Sequence, residues 1–284
     1  MSNALELDIG FSPCPNDTFI FDALIHQRID TAPFRFRPQI ADVEELNKRG
    51  FAQKHPITKL SFYAYLLLKD HYDLLDSGAA LGYGCGPLLV ARKIGGDGPI
   101  SPEIGSVSPD FRNWIRDARI AVPGRYTTAY LLLQIWQGSC GRAEFVRFDE
   151  ILPGVASGKY DAGLVIHEGR FVYQKYDCLK IVDLGQWWES ETGLPLPLGC
   201  IALRRDMSRY KEAVETLLRQ SVRQAMKNPG AANAFIKLHA QELDDQVISD
   251  HISLFVNEFT LSLGQTGMRA IEALEERARC QGIL

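Results

Sequence analysis

A single histidine stands where a short buried strand should end. Ala162 to Ile166 is a run of small and apolar residues, His167 follows at once, and Glu168 then opens what reads as a helix. In α/β proteins, ligands sit outside the carboxyl ends of the strands. Histidine has the unperturbed pKa nearest neutrality, so it can take or give a proton at working pH. His167 is therefore a candidate general base that needs no metal; the plain alternative is a structural histidine satisfied by its neighbours. The other histidines are placed less well. His26, His239 and His251 fall on expected helices, and His55 and His71 lie in polar connecting stretches. No two histidines have metal-ligand spacing, so no metal is expected.

Three further loops follow strands and could share a cleft with His167. Ser12-Pro13-Cys14-Pro15-Asn16-Asp17-Thr18 is stiffened by two prolines and offers Asn16 and Thr18 as ligand contacts. Lys59-Leu60-Ser61 joins a strand to a helix, and Ser61 can either cap that helix or bind a ligand oxygen. Pro123-Gly124-Arg125-Tyr126-Thr127-Thr128 leads into a helix. A glycine-containing loop at a helix start presents N–H donors and a favourable dipole to an anion, and Thr127 and Thr128 add hydroxyls. For each loop, a turn and helix cap is the competing reading.

Several chemistries are excluded. The Gly124 loop does not end in Gly-Lys-Ser/Thr, so it is no P-loop, and there is no Gly-x-Ser-x-Gly elbow. Gly82-x-Gly84-x-Gly86 leads into a strand, which discounts a dinucleotide site. Trp187 and Trp188 could wall a planar ligand, although core packing is the commoner use.

The elements that must hold these residues alternate strand and helix, which predicts sheets covered by helices. Expected strands are Leu5 to Phe11, Phe34 to Phe36, Ile57 to Leu60, Leu88 to Arg92, Arg119 to Val122, Glu144 to Phe148, Ala162 to Ile166, Leu179 to Asp183 and Leu198 to Leu203. From Ser208 onward the pattern is helical, with Tyr210, Val214, Leu217, Leu218 and Val222 on one apolar face. Lys93 to Pro109 is rich in Gly, Pro and Ser and reads as a connector. We therefore expect an α/β, two-lobe fold with a hinge and an interlobe cleft. Residues 1–92 and 198–284 would form a discontinuous lobe one, and 93–197 lobe two, including the connector 93–109. The strand at 88–92 would leave lobe one and that at 198–203 would return.

Composition fits this picture. The 284 residues are 46% hydrophobic and 23% charged, enough for a sizeable core. A net charge of −4 without a basic cluster argues against nucleic acid as a partner. No apolar run approaches the roughly 18 residues of a membrane span. The start lacks a basic segment followed by an apolar one, so a cytoplasmic location is expected, and Ser2-Asn3-Ala4 reads as either native or an expression remnant. The six cysteines show no metal-pair spacing and are expected to be reduced thiols.

Taken together, these segments resemble the 1,4-dihydroxy-6-naphthoate synthase family of the futalosine route to menaquinone. The matching pieces are Ser12 to Phe19, Ser77 to Gly82 with Gly86 to Val90, Tyr126 to Ala129, Asp161 to Phe171, Val182 to Gly185, Gly193 to Gly199 and Asn257 to Thr260. The resemblance implies a fold like the type II periplasmic solute-binding proteins. It implies a carbon–carbon lyase converting cyclic dehypoxanthine futalosine to 1,4-dihydroxy-6-naphthoate, with no cofactor. It also implies that His167 is the proton acceptor and that Lys59, Leu60, Ser61, Thr127 and Thr128 contact substrate; Asn16 and Thr18 are added from the loop reading. The expected partner is a small carboxylated substrate, with a homo-oligomer left open. A non-catalytic solute-binding protein, or the chorismate-dehydrating sister enzyme of the pathway, would share the fold.

Overall fold

The computed structural model describes residues 4–93, 114–138, 142–240 and 244–284. Residues 94–109 of the connector, Ser2, Asn3 and Cys140 lie outside the described residues. The chain runs β1 (Leu5–Phe11), α1 (Pro15–Ile25), β2 (Phe34–Ile40), α2 (Val43–Phe51), β3 (Ile57–Ser61), α3 (Phe62–Leu67), β4 (Tyr72–Leu74), β5 (Ala80–Gly82) and β6 (Leu88–Arg92). It continues through β7 (Ile120–Val122), α4 (Thr128–Gln137), β8 (Ala143–Phe145), α5 (Phe148–Ala156), β9 (Ala162–Val165), α6 (Gly169–Val172), β10 (Cys178–Asp183), α7 (Leu184–Thr192) and β11 (Leu196–Arg204). The helical end comprises α8 (Lys211–Lys227), α9 (Asn233–His239), α10 (Asp245–Phe255), α11 (Glu258–Leu261) and α12 (Gly264–Cys280).

These strands form two sheets. The first has the order β2-β1-β3-β11-β4, with β5 also paired to β11. Strand β1 is parallel to β2 and β3, whereas β11 runs antiparallel to β3, β4 and β5. The second sheet has the order β10-β6-β9-β7-β8. The chain thus passes from the first sheet to the second between Gly82 and Leu88 and returns before Leu196.

Strand β6 differs from expectation. It does not end the first sheet but pairs antiparallel with β10 on one side and β9 on the other, inside the second sheet. Burial explains this. Leu89 and Ala91 face the large core shared with α4 and Trp188, while Leu88 and Val90 face a second core built on Ile151, Val155 and Tyr160. A strand apolar on both faces suits a sheet that is covered on both sides, as the second sheet is here. The predicted apolar face of α8 packs as expected, with Val214, Leu217, Leu218 and Val222 buried against α1 and the first sheet.

Helix boundaries follow local chemistry. Asp42 caps α2, its Oδ1 accepting the N–H groups of Glu44 and Glu45. Thr127 caps α4, accepting the Tyr130 N–H at 3.3 Å. Helix α5 begins one residue before Asp149, so Asp149 is not its cap and instead pairs with Arg147. Among the described residues, no helix is long and apolar enough to cross a membrane.

Candidate active site

The carboxyl ends of β1, β3, β7 and β9 open onto one cleft between the two sheets. It encloses about 620 Å³ including its mouth. From the first-sheet side come Asn16, Lys59 and Ser61; from the second come Thr127, Thr128, Ile166, His167 and Arg170. Phe255 of α10, with Leu198 and Gly199 of the returning strand, completes much of the wall.

His167 is held in an uncommon conformation. Its φ is +53°, a left-handed value that costs a non-glycine residue of order 1 kcal/mol or more. The turn that imposes it is closed by the Gly169 and Arg170 N–H groups, which donate to the Ile166 and His167 carbonyls. The ring is pinned across the cleft. Nδ1 lies 3.4 Å from the Cys14 sulfur, the Phe148 ring meets it edge-on at 5.2 Å, and the His251 ring lies nearly parallel at 6.2 Å. Nε2 is buried and has no hydrogen-bond partner among the described residues. Burial pushes the imidazole pKa down to about 4, with the nearby Lys59 ammonium acting in the same direction and Asp17 opposing it. The ring is therefore neutral at physiological pH.

A charge pair underlies the cleft. Lys59, on β3, forms a buried ion pair with Asp17 in the first turn of α1. Asp17 also accepts the Ser12 N–H at 3.0 Å, the Ser12 hydroxyl at 2.6 Å and the Asn16 side-chain N–H at 2.9 Å. Asn16 in turn meets His251 Nε2 through its Oδ1 at 2.9 Å. The other cleft cation, Arg170, is similarly engaged: it bonds Asp183 at 2.7 Å and donates to the Gly86 carbonyl. Both cations in the cleft wall are thus already paired. Cys14 stays a thiol, because burial first, and then the charges of Glu168 and Asp17, push its pKa up.

The expected contacts are brought together with two exceptions. Asn16, Lys59, Ser61, Thr127, Thr128 and His167 line the cleft. Thr18 and Leu60 are not among the lining residues: the Thr18 hydroxyl donates to the carbonyls of Cys14 and Pro15 within α1, and the Leu60 side chain enters the core. The threonine hydroxyls are also spoken for. Thr127 donates to the Gly124 carbonyl, and Thr128 donates to the Leu198 carbonyl at 2.7 Å while accepting the Tyr63 N–H. Thr128 and Ala129 line the cleft at the start of α4, where backbone N–H groups precede the first intrahelical hydrogen bonds. Ser61 keeps a hydroxyl proton to donate, because its Oγ accepts from Asn47 at 3.0 Å.

Three residues escaped the sequence reading. Arg170 lies within the His167 segment, and nothing in the local sequence marks its side chain as facing the cleft. Cys14 reads in the sequence only as one of six reduced thiols. His251 lies on an expected helix and falls with Ile248 and Phe255 on the buried face of α10; a histidine on such a face is the available signal. Trp188 is core, its indole N–H satisfied by the Pro195 carbonyl, and neither Trp187 nor Trp188 lines the cleft.

This geometry can be set beside known proteins. Residues 7–280 match a family model described as menaquinone biosynthesis. A 1,4-dihydroxy-6-naphthoate synthase of Thermus thermophilus is 45% identical over 278 residues, covering 98% of this chain and 95% of its own. The chain belongs to the 1,4-dihydroxy-6-naphthoate synthase family. A second member, from Streptomyces coelicolor, is 41% identical over 292 residues, covering 99% of this chain and 96% of its own. The fold is periplasmic-binding-protein-like: the alkanesulfonate-binding protein SsuA of Xanthomonas axonopodis pv. citri superposes with a TM-score of 0.70 at 13% identity, covering 100% of this chain and 96% of that one.

Proposed function

We propose that this chain converts cyclic dehypoxanthine futalosine to 1,4-dihydroxy-6-naphthoate, breaking the carbon–carbon bond to the sugar-derived part, with His167 as general base. The observation that carries the reading is a neutral His167 that lines the cleft between the two lobes, its buried Nε2 without a hydrogen-bond partner among the described residues. The identity to two proteins named 1,4-dihydroxy-6-naphthoate synthase supports the product of the proposed reaction.

In this reading, the N–H groups of Thr128 and Ala129, with the Ser61 hydroxyl, hold polar oxygens of the substrate. The start of α4 suits a carboxylate, because its dipole and its free donors act together. Nε2 takes a proton only if Nδ1 carries the ring's own hydrogen, directed at the Cys14 sulfur. A substrate carboxylate near the ring opposes the effect of Lys59 and raises the imidazole's basicity from its resting value. Proton removal from the sugar-derived part lets it leave as a carbonyl fragment as the carbon–carbon bond breaks; the bonding electron pair passes into the ring, which aromatises, and the proton on Nε2 returns to the product. One placed base contributes roughly 10²- to 10⁴-fold, and aromatisation adds driving force, so no cofactor is needed.

The test is direct. Purified protein is incubated with cyclic dehypoxanthine futalosine, and the naphthoate is followed by chromatography. Its appearance at a rate proportional to enzyme supports the reading. Tight binding without product supports a solute-binding role instead.

A further inference from the structure

Glu44 sits in the first turn of α2, is 7% exposed, and reaches across to the opposite lobe. Its carboxylate accepts the N–H of Arg125 at 2.9 Å and that of Tyr126 at 3.1 Å. These donors belong to the loop that leads into α4, where the sequence suggests an anion site. The anion found there is part of the chain itself. The loop is shaped to receive it: a Cβ added at Gly124 would lie 2.4 Å from Glu44 Oε2 and 2.5 Å from its carboxyl carbon, so only glycine permits this approach. The carboxylate stands close to the starts of two helices, α2 and α4, and both dipoles favour its charge. At the far end of α2, the Phe51 ring packs against the Tyr126 ring with centroids 4.3 Å apart, a second contact between this helix and the loop.

The contact does not end at the loop. Asn47, fully buried one turn along α2, is 3.4 Å from Glu44 Oε2 through its Nδ2. The same side chain grips Ser61 twice, giving its Nδ2 to the hydroxyl at 3.0 Å and taking the Ser61 N–H at 2.9 Å. One network therefore joins a cleft residue of the first-sheet side to the loop that caps α4 on the other.

We propose that Glu44 is a positioning residue that clasps the two lobes at the start of α4 and, through Asn47, sets Ser61 and the α4 N–H donors as one unit for the substrate. The proposal rests on the reading that Ser61 and α4 hold substrate oxygens. It adds that the substrate's own anion binds at Thr128 and Ala129, since Glu44 fills the Arg125 and Tyr126 positions.

Glu44→Gln removes the charge at constant shape, and Gly124→Ala displaces the carboxylate from the other side. Charge-assisted hydrogen bonds of this kind correspond to roughly 10- to 100-fold in an equilibrium constant. Both variants are expected to raise KM by about that factor while kcat falls by less than about threefold, because saturating substrate restores the arrangement. Amide hydrogen exchange supplies a readout independent of turnover. The Arg125 and Tyr126 N–H groups should exchange at least about tenfold faster in both variants and remain protected in a His167→Gln control. Unchanged protection together with unchanged KM in a folded Glu44→Gln protein overturns the clasp; if that variant does not fold, the same result in Gly124→Ala overturns it. Failure of the wild-type protein to make naphthoate would count against the catalytic reading and leave the exchange result standing.

Discussion

The Cys14 sulfur and His167 Nδ1 lie 3.4 Å apart, although 153 residues separate them. Cys14 begins α1 beside the first sheet, and His167 ends β9 in the second. The contact fixes the ring and ties its orientation to the seating of one lobe on the other. It also bears on the tautomer. A general base at Nε2 requires the hydrogen on Nδ1, which is the less common neutral form unless a partner favours it. In a ¹⁵N-labelled protein, the two ring nitrogens of His167 are expected to show protonated Nδ1 and bare Nε2. Cys14→Ala should move the ring toward the Nε2-protonated form and lower kcat about tenfold, the size of one lost hydrogen bond. A protonated Nε2 in the wild-type protein contradicts the base assignment.

The pH dependence follows from the position of His167. Its folded pKa is about 4, below the ordinary 6.5. In the free enzyme the base form is complete at neutral pH, so kcat/KM should be flat there and fall only as pH drops toward 4. An anionic substrate raises the pKa in the complex, so the acid limb of kcat should lie at higher pH than that of kcat/KM. Parallel rate profiles measure both.

The same shift links to stability. The unfolded chain binds this proton near pH 6.5 and the folded chain only near pH 4, so folding stability is present above 6.5 and is lost as pH falls through that window. At about 1.4 kcal/mol per unit, the loss approaches about 3 kcal/mol. His167→Gln should therefore show a shallower drop in urea-measured stability between pH 6.5 and 4.

Lys59 and Asp17 form a buried pair whose members depend on each other. Asp17→Asn leaves an ammonium without its counter-charge and should destabilise the protein by about 3–5 kcal/mol in urea unfolding. The double variant Asp17→Asn with Lys59→Met should recover part of that loss, since the stranded charge is gone. A single variant as stable as wild type would show that the pair is not structural.

Gly86 tests how the cleft wall is built. A Cβ there would meet the backbone N and Cα of Gly185 at 2.2 Å, and backbone cannot rotate away. Gly86→Ala should cost about 1–3 kcal/mol and displace the Gly86 carbonyl that Arg170 holds. Calorimetry of the purified variant measures the first effect.

Much of this arrangement is legible in the sequence because it is local. The Ala162 to Val165 strand, the turn at His167 and the Thr127 cap of α4 each follow from residues within a few positions of one another. Strands β4 (Tyr72-Asp73-Leu74) and β5 (Ala80-Leu81-Gly82) carry no β-branched residue to mark them in the sequence, and both exist by pairing with β11. The sequence of β6 does not show which sheet it joins, because its two buried faces look alike from either one. The partners that tune the site were illegible for a different reason: His251 beside His167, Asp183 on Arg170 and Glu44 on the Arg125 loop are contacts set by tertiary packing, with no local signature to announce them.

The most direct test of the account is single-turnover conversion of cyclic dehypoxanthine futalosine by wild-type protein and by His167→Ala. Wild-type protein should yield 1,4-dihydroxy-6-naphthoate, while the variant should bind substrate yet turn it over about 10²- to 10⁴-fold more slowly. A folded His167→Ala protein with near-normal turnover would contradict the account.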